Sequence, residues 1–128
     1  MSENTGIKVG VITQEVISAL NLSVIANTPV YIGQSNIDHM KKKHGDVYEK
    51  YNSCISDIIQ SPDYVGVNNA DNSIEYVKQF VIDNEYVKAA IRVSTTGVYY
   101  ARSIYVLNNN RVRNYIEKGT LKSLDKQE

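Results

Sequence analysis

The segment Ser35–His44, SNIDHMKKKH, holds both histidines of the chain beside three consecutive lysines. An imidazole titrates near neutral pH and can take or give a proton, while fixed ammonium groups stabilise charge developing on a phosphate. Together these groups can cleave a phosphodiester without a metal. Such cleavage needs a base for the 2′-hydroxyl proton, an acid for the leaving 5′-oxygen, and cations or hydrogen-bond donors on the phosphate. The plain alternative is a lysine-rich solvated helix face with two incidental histidines. On a helix His39 and Lys43 share a face, because they are four residues apart. His44 lies five residues from His39 and points elsewhere unless the helix ends before it, as Gly45 suggests. The spacing therefore favours His39 with Lys43, and leaves His44 as a structural or supporting residue.

Composition narrows the remaining chemistry. Fourteen basic side chains balance fourteen acidic ones, so contact with nucleic acid would have to come from local patches. Two are present, Lys41–Lys43 and the group Arg111, Arg113 and Lys118. Ten tyrosines, one phenylalanine and no tryptophan suit half-buried strand faces, and tyrosine also suits contact with bases and phosphates. Two histidines and one cysteine lack the spacing of a zinc site. Cys54 falls among apolar helix positions and reads as a small core residue, not a nucleophile. No glycine-rich phosphate loop is present, and Asn68–Glu75 reads as a hairpin turn, not a calcium loop. No apolar run approaches the roughly 20 residues of a membrane span. The N-terminal MSENTGIKVG has no basic region followed by an apolar stretch, and a lone cysteine excludes an internal disulfide. The expectation is one domain of 128 residues working in the cytoplasm.

The elements that would position these residues follow from periodicity. Ile7–Ile12 is β-like, and Thr13 caps a brief helix with Val16, Ile17 and Leu20 on one face. Leu22–Ala26 and Val30–Ile32 read as short strands around the turn at Asn27–Pro29. Ser35 is expected to cap a helix, with Asp38 completing a capping box, and Gly45 to interrupt it. A second helix then carries Val47, Tyr51, Cys54, Ile55, Ile58 and Ile59 on one apolar face and ends at Ser61-Pro62. Ser73–Ile82, Tyr86–Val93 and Val98–Leu107 read as an antiparallel meander linked by turns at Asn84 and Thr95–Gly97. In the middle strand Val87, Ala89, Ile91 and Val93 alternate with Tyr86, Lys88, Ala90 and Arg92, giving a buried face and a wet one. Asn108–Asn110 caps a last helix with Val112, Tyr115 and Ile116 inward and Gly119 at its end, and the residues from Ser123 are expected to fray.

Three stretches in this order carry a family resemblance. They are His39-Met40…Lys43-His44 ahead of the long helix; IIQSPDYVGV, where Ser61-Pro62-Asp63 ends a helix before a strand; and ARSIYVLNNNRVRNYIEKG, a hydroxyl-bearing last strand running into a basic helix that ends in glycine. In these the chain resembles the phage-associated members of the barnase–EndoU–colicin–RelE-like nuclease superfamily, shortened to PBECR. The resemblance covers roughly residues 30–124, leaving 1–29 as an N-terminal extension packed on the same domain and 125–128 as a frayed tail. It implies an RNase-like α+β fold, with helices packed on an antiparallel sheet of four or slightly more strands.

The family's histidine–lysine elements map onto His39, Lys43 and His44, and its last-strand threonine or serine onto Ser103. The candidate catalytic residues are therefore His39, Lys43, His44 and Ser103, with Lys42, Arg102, Tyr105 and Arg113 as candidates for phosphate or RNA contact. Arg102 and Ser103 point to opposite faces of a regular strand, so without a bulge only one of them faces the site. The implied activity is that of a metal-independent endoribonuclease of toxin type that forms a 2′,3′-cyclic phosphate. It would need no cofactor, act on RNA, and have an antitoxin or immunity protein as a candidate partner. The alternative on the same fold is a catalytically silent module, encoded by a phage or mobile element, that holds RNA or a partner protein. The zero net charge favours that alternative.

Overall fold

The computed structural model describes residues 6–124. Strand β1 (Ile7–Ile12) leads into α1 (Gln14–Leu20), whose first turn is capped by Thr13; its hydroxyl accepts from the Val16 amide at 3.4 Å. After β2 (Thr28–Ile32) come the long helix α2 (Gln34–Tyr51), a single 3-10 turn (Asn52–Cys54) and α3 (Ile55–Gln60). The rest of the chain is β3 (Tyr64–Val67), β4 (Ile74–Phe80), β5 (Glu85–Val93), β6 (Tyr99–Leu107), α4 (Asn109–Glu117) and β7 (Lys122–Ser123). Among the described residues no helix is long and apolar enough to cross a membrane.

The strands form one sheet in the order β1-β2-β6-β5-β4-β3-β7. Every pairing is antiparallel except the two-residue contact of β2 with β6, Val30 opposite Tyr99 and Tyr31 opposite Tyr100. The expected α+β arrangement and the β4-β5-β6 meander are both present, in a sheet of seven strands. Residues 7–29, set apart in the sequence reading as an extension, are built into it: β1 pairs with β2, and Val16 and Ile17 of α1 are buried in the main core.

That core lies on one face of the sheet. Tyr76, Val87, Ala89, Ile91, Ala101 and Ile104 meet Ile55, Ile58 and Ile59 of α3, with Met40 and Tyr51 of α2 at the margin. Since Ile58 is fully buried, Ile58→Ala is expected to cost about 2–5 kcal/mol in chemical denaturation. A loss under about 0.5 kcal/mol, the range of surface positions, would mean that α3 does not cover this face. A smaller cluster on the opposite face gathers Val77, Leu107, Val112 and Leu121, so α4 covers only one end of that side.

Several local expectations are corrected. Leu22–Ala26 is a loop, because its ends are taken up by turns, with the Leu22 amide donating to Ile17 and the Thr28 amide to Ile25. Its apolar side chains Leu22, Val24 and Ala26 still pack against the core. The α2 cap is Gly33, not Ser35, and the box is closed by Asn36, whose side chain accepts from the Gly33 amide at 2.8 Å. Asp38 instead accepts from Gln34 at 2.9 Å. Helix α2 passes through Gly45 and breaks one residue earlier, at His44 (φ −144°, ψ 60°). The tighter 3-10 turn rotates Cys54 off the apolar stripe, leaving it half-buried, and Val93 at the strand end is 48% exposed. Ser123 is paired with Tyr64 and the Leu124 amide donates to Asp63, so fraying does not begin at 123; residues 1–5 and the expected tail 125–128 lie outside the described residues.

Candidate active site

Along β6 the register against β5 slips by one residue. Ser103 opposes Ala90 and Ala101 opposes Ile91, which leaves Arg102 unopposed in a β-bulge. Ala101 stays in the core, Ser103 falls on the opposite face, and Arg102 is turned outward to a pocket it shares with Tyr100. The bulge removes the restriction that a regular strand would impose on Arg102 and Ser103. No glycine marks it in the sequence.

The pocket is open and has a volume of about 670 Å³. One wall is the beginning of α2, Gly33–Asn36, with His39 a turn further on; the other is Tyr100 and Arg102 of β6. The first amides of a helix have no intrahelical acceptor, so this wall presents N–H donors and the positive end of the first segment of α2, which runs up to the break at His44. An imidazole, a guanidinium and a helix N-terminus thus line one concavity. That set suits an anion.

Next to it on the same face is a second cluster. Where α2 breaks, the His44 ring stacks on Tyr105, with centroids 5.3 Å apart and planes 25° apart. The Lys88 ammonium lies 4.7 Å from the centre of that tyrosine ring and 2.9 Å from Glu75 Oε2, which also accepts from Asn68 at 3.3 Å. Lys88 is 5% and Glu75 6% exposed, so the side chain expected on a wet face is buried. Desolvation pulls the Lys88 pKa down, but the Tyr105 hydroxyl and the Glu75 carboxylate outweigh it, and the net shift is upward. The ammonium therefore stays charged.

A family model described as phage-Barnase-EndoU-ColicinE5/D-RelE like nuclease3 (PBECR3) matches residues 7–114. The chain belongs to this family of nucleases. No curated protein and no solved structure matches it. The PBECR3 match begins at β1, so it takes in the first strand and α1, and it also takes in both clusters on the open face.

Not every candidate residue of this PBECR3 chain meets at the pocket. Lys42 and Lys43 are exposed on α2 and do not line it. Arg113 faces a separate groove beside Asn84 and Tyr86, and its guanidinium donates to Asn110 at 3.4 Å. Among the described residues no group of three or more His, Cys, Asp or Glu side chains is placed to hold a metal ion.

The sequence reading missed Glu75, Lys88 and Asp71. The signal for the first two was a charged residue in the middle of an apolar strand, Ile74-Glu75-Tyr76-Val77 and Val87-Lys88-Ala89. Asp71, in the β3–β4 turn, lies 3.9 Å from Arg92. The Ser73 hydroxyl and amide, followed by Arg92 and Arg102, hold its carboxyl below the usual range. A carboxylate whose folded pKa is depressed adds stability above its unfolded value, near pH 4, and loses it as pH falls through the folded value. Asp71→Asn is therefore expected to flatten the fall in thermal midpoint below about pH 4. An unchanged acid limb would show that Asp71 is not the group responsible.

Proposed function

We propose that this PBECR3 nuclease is a metal-independent endoribonuclease of toxin type, cleaving RNA by transesterification to a 2′,3′-cyclic phosphate. The observation that carries the reading is that His39 and Arg102, from different elements, line one open pocket at the start of α2. The 2′-oxygen attacks phosphorus while its proton passes to an imidazole; the bond to the 5′-oxygen breaks, and that oxygen takes a proton from the other imidazole. His39 and His44 supply the two imidazoles. Arg102 clamps the phosphate with its planar fork, the first amides of α2 and the Ser103 hydroxyl donate to its oxygens, and Lys43 adds charge at the rim. Tyr100 and Tyr105 offer rings to bases. With no net charge overall, affinity rests on these local cations and falls as salt rises. The reading places the protein in the cytoplasm, with RNA as substrate and an antitoxin or immunity protein as its partner.

The test is degradation of a mixed RNA pool with EDTA present across pH 5–9. Cleavage is expected to persist in EDTA, with an optimum in the imidazole range near 6–7, and to fall in His39→Ala. Folded protein that binds RNA and cuts none would make it a binding module on the same fold.

A further inference from the structure

The buried pair of Glu75 and Lys88 lies beneath the open face, outside the groups assigned to the reaction above. A buried ion pair contributes little net stability, since desolvation of both charges offsets their attraction. Here the pair has a geometric consequence. Glu75 fixes the Lys88 ammonium at 2.9 Å, and that ammonium lies against the Tyr105 ring. Tyr105 in turn carries the His44 imidazole in a stack. His44 itself sits at the one residue of α2 whose backbone is not helical, so the helix does not fix the direction of its ring. Gly45, which follows it, has no side chain to brace the ring, and a Cβ placed there would stand in open space. The stack on Tyr105 is the ring contact that orients this imidazole.

We propose that Glu75 and Lys88 are positioning residues for His44, acting through Tyr105: the buried pair locks the tyrosine ring, and the ring holds the imidazole over the open face. The inference rests on the nuclease reading for its catalytic consequence and stands on the chain of contacts for its structural one. Neither Glu75 nor Lys88 reaches the surface enough to bind RNA, so their removal should act on the chemical step and not on binding.

The experiment compares wild type with Glu75→Gln/Lys88→Met, Tyr105→Leu and Tyr105→Phe. The double substitution removes both charges together, so no uncompensated ion is left inside. Two readouts are taken. In the first, made without RNA, NMR follows the His44 ring protons, which the Tyr105 ring current is expected to displace from the position of an unstacked imidazole. The displacement should collapse in the double variant and in Tyr105→Leu, and persist in Tyr105→Phe, which keeps the ring. In the second, the double variant should lower kcat by up to about 100-fold, the cost of a misplaced reacting group, with KM unchanged. An unmoved His44 signal in the double variant overturns the inference whatever the activity. A rise in KM with kcat intact overturns it too. Wild-type protein that cuts no RNA refutes the nuclease reading alone, and the NMR result still decides the positioning.

Discussion

His39→Ala is expected to lower the rate of RNA cleavage by about 10²–10⁴-fold, the usual contribution of a general acid or base. Its thermal midpoint should stay at the wild-type value. His39 is exposed on α2, one residue before the buried Met40, and its side chain lines a pocket and takes no part in the core. Substitution there should therefore change stability by no more than about 0.5 kcal/mol, and lost activity can be read as lost chemistry. Lys43→Ala should give a smaller effect that raised salt partly mimics, because an exposed ammonium acts at a distance and is screened. A His39→Ala protein that cleaves at near the wild-type rate would remove His39 from the reaction and leave the fold assignment untouched.

The second large effect is on stability. Glu75→Ala is expected to destabilise the protein by about 3–5 kcal/mol, because it leaves the Lys88 ammonium buried without its counter-charge. It also deprives the Asn68 amide of its acceptor. Replacing both partners at once, as Glu75→Gln/Lys88→Met, should cost far less than Glu75→Ala, since no ion remains to be desolvated. Chemical denaturation of the two variants measures the contrast. If both lose the same free energy, the Lys88 ammonium has found water in the single variant and the pair is not sealed from solvent.

The fold was largely legible because its signals are local. Two-residue alternation in Tyr86–Val93, turn residues at Asn84 and Gly97, and the helix stop at Ser61-Pro62 each act within a few residues, and the meander and α3 follow from them. The errors arose where distant partners decide. Leu22–Ala26 has strand composition, but it is tied down at both ends, with the Leu22 amide donating to Ile17 of α1 and the Thr28 amide donating back to Ile25. Lys88 alternates correctly onto the polar face. It is nevertheless buried, because Glu75 of a neighbouring strand and Tyr105 of the other one close over it.

In the candidate site, a break near Gly45 was readable from the sequence, whereas Lys43, paired with His39 by helical spacing, does not line the pocket that His39 lines. The meeting of His39 with Arg102 was not, since it depends on a bulge that carries no sequence mark and on α2 lying along β6. The stack of His44 on Tyr105 likewise needs the break at His44 itself, where the ring leaves the direction a continuous helix would give it.

The measurement that tests the central claim most directly is the mass of the new 3′ end. A defined RNA oligonucleotide is cut by wild-type protein in EDTA, and the products are weighed by mass spectrometry. Transfer of the 2′-hydroxyl proton to an imidazole during attack on phosphorus predicts fragments ending in a 2′,3′-cyclic phosphate, formed without added metal and suppressed in His39→Ala. Fragments ending in a 3′-hydroxyl, or cleavage that appears only when magnesium is supplied, would contradict the account.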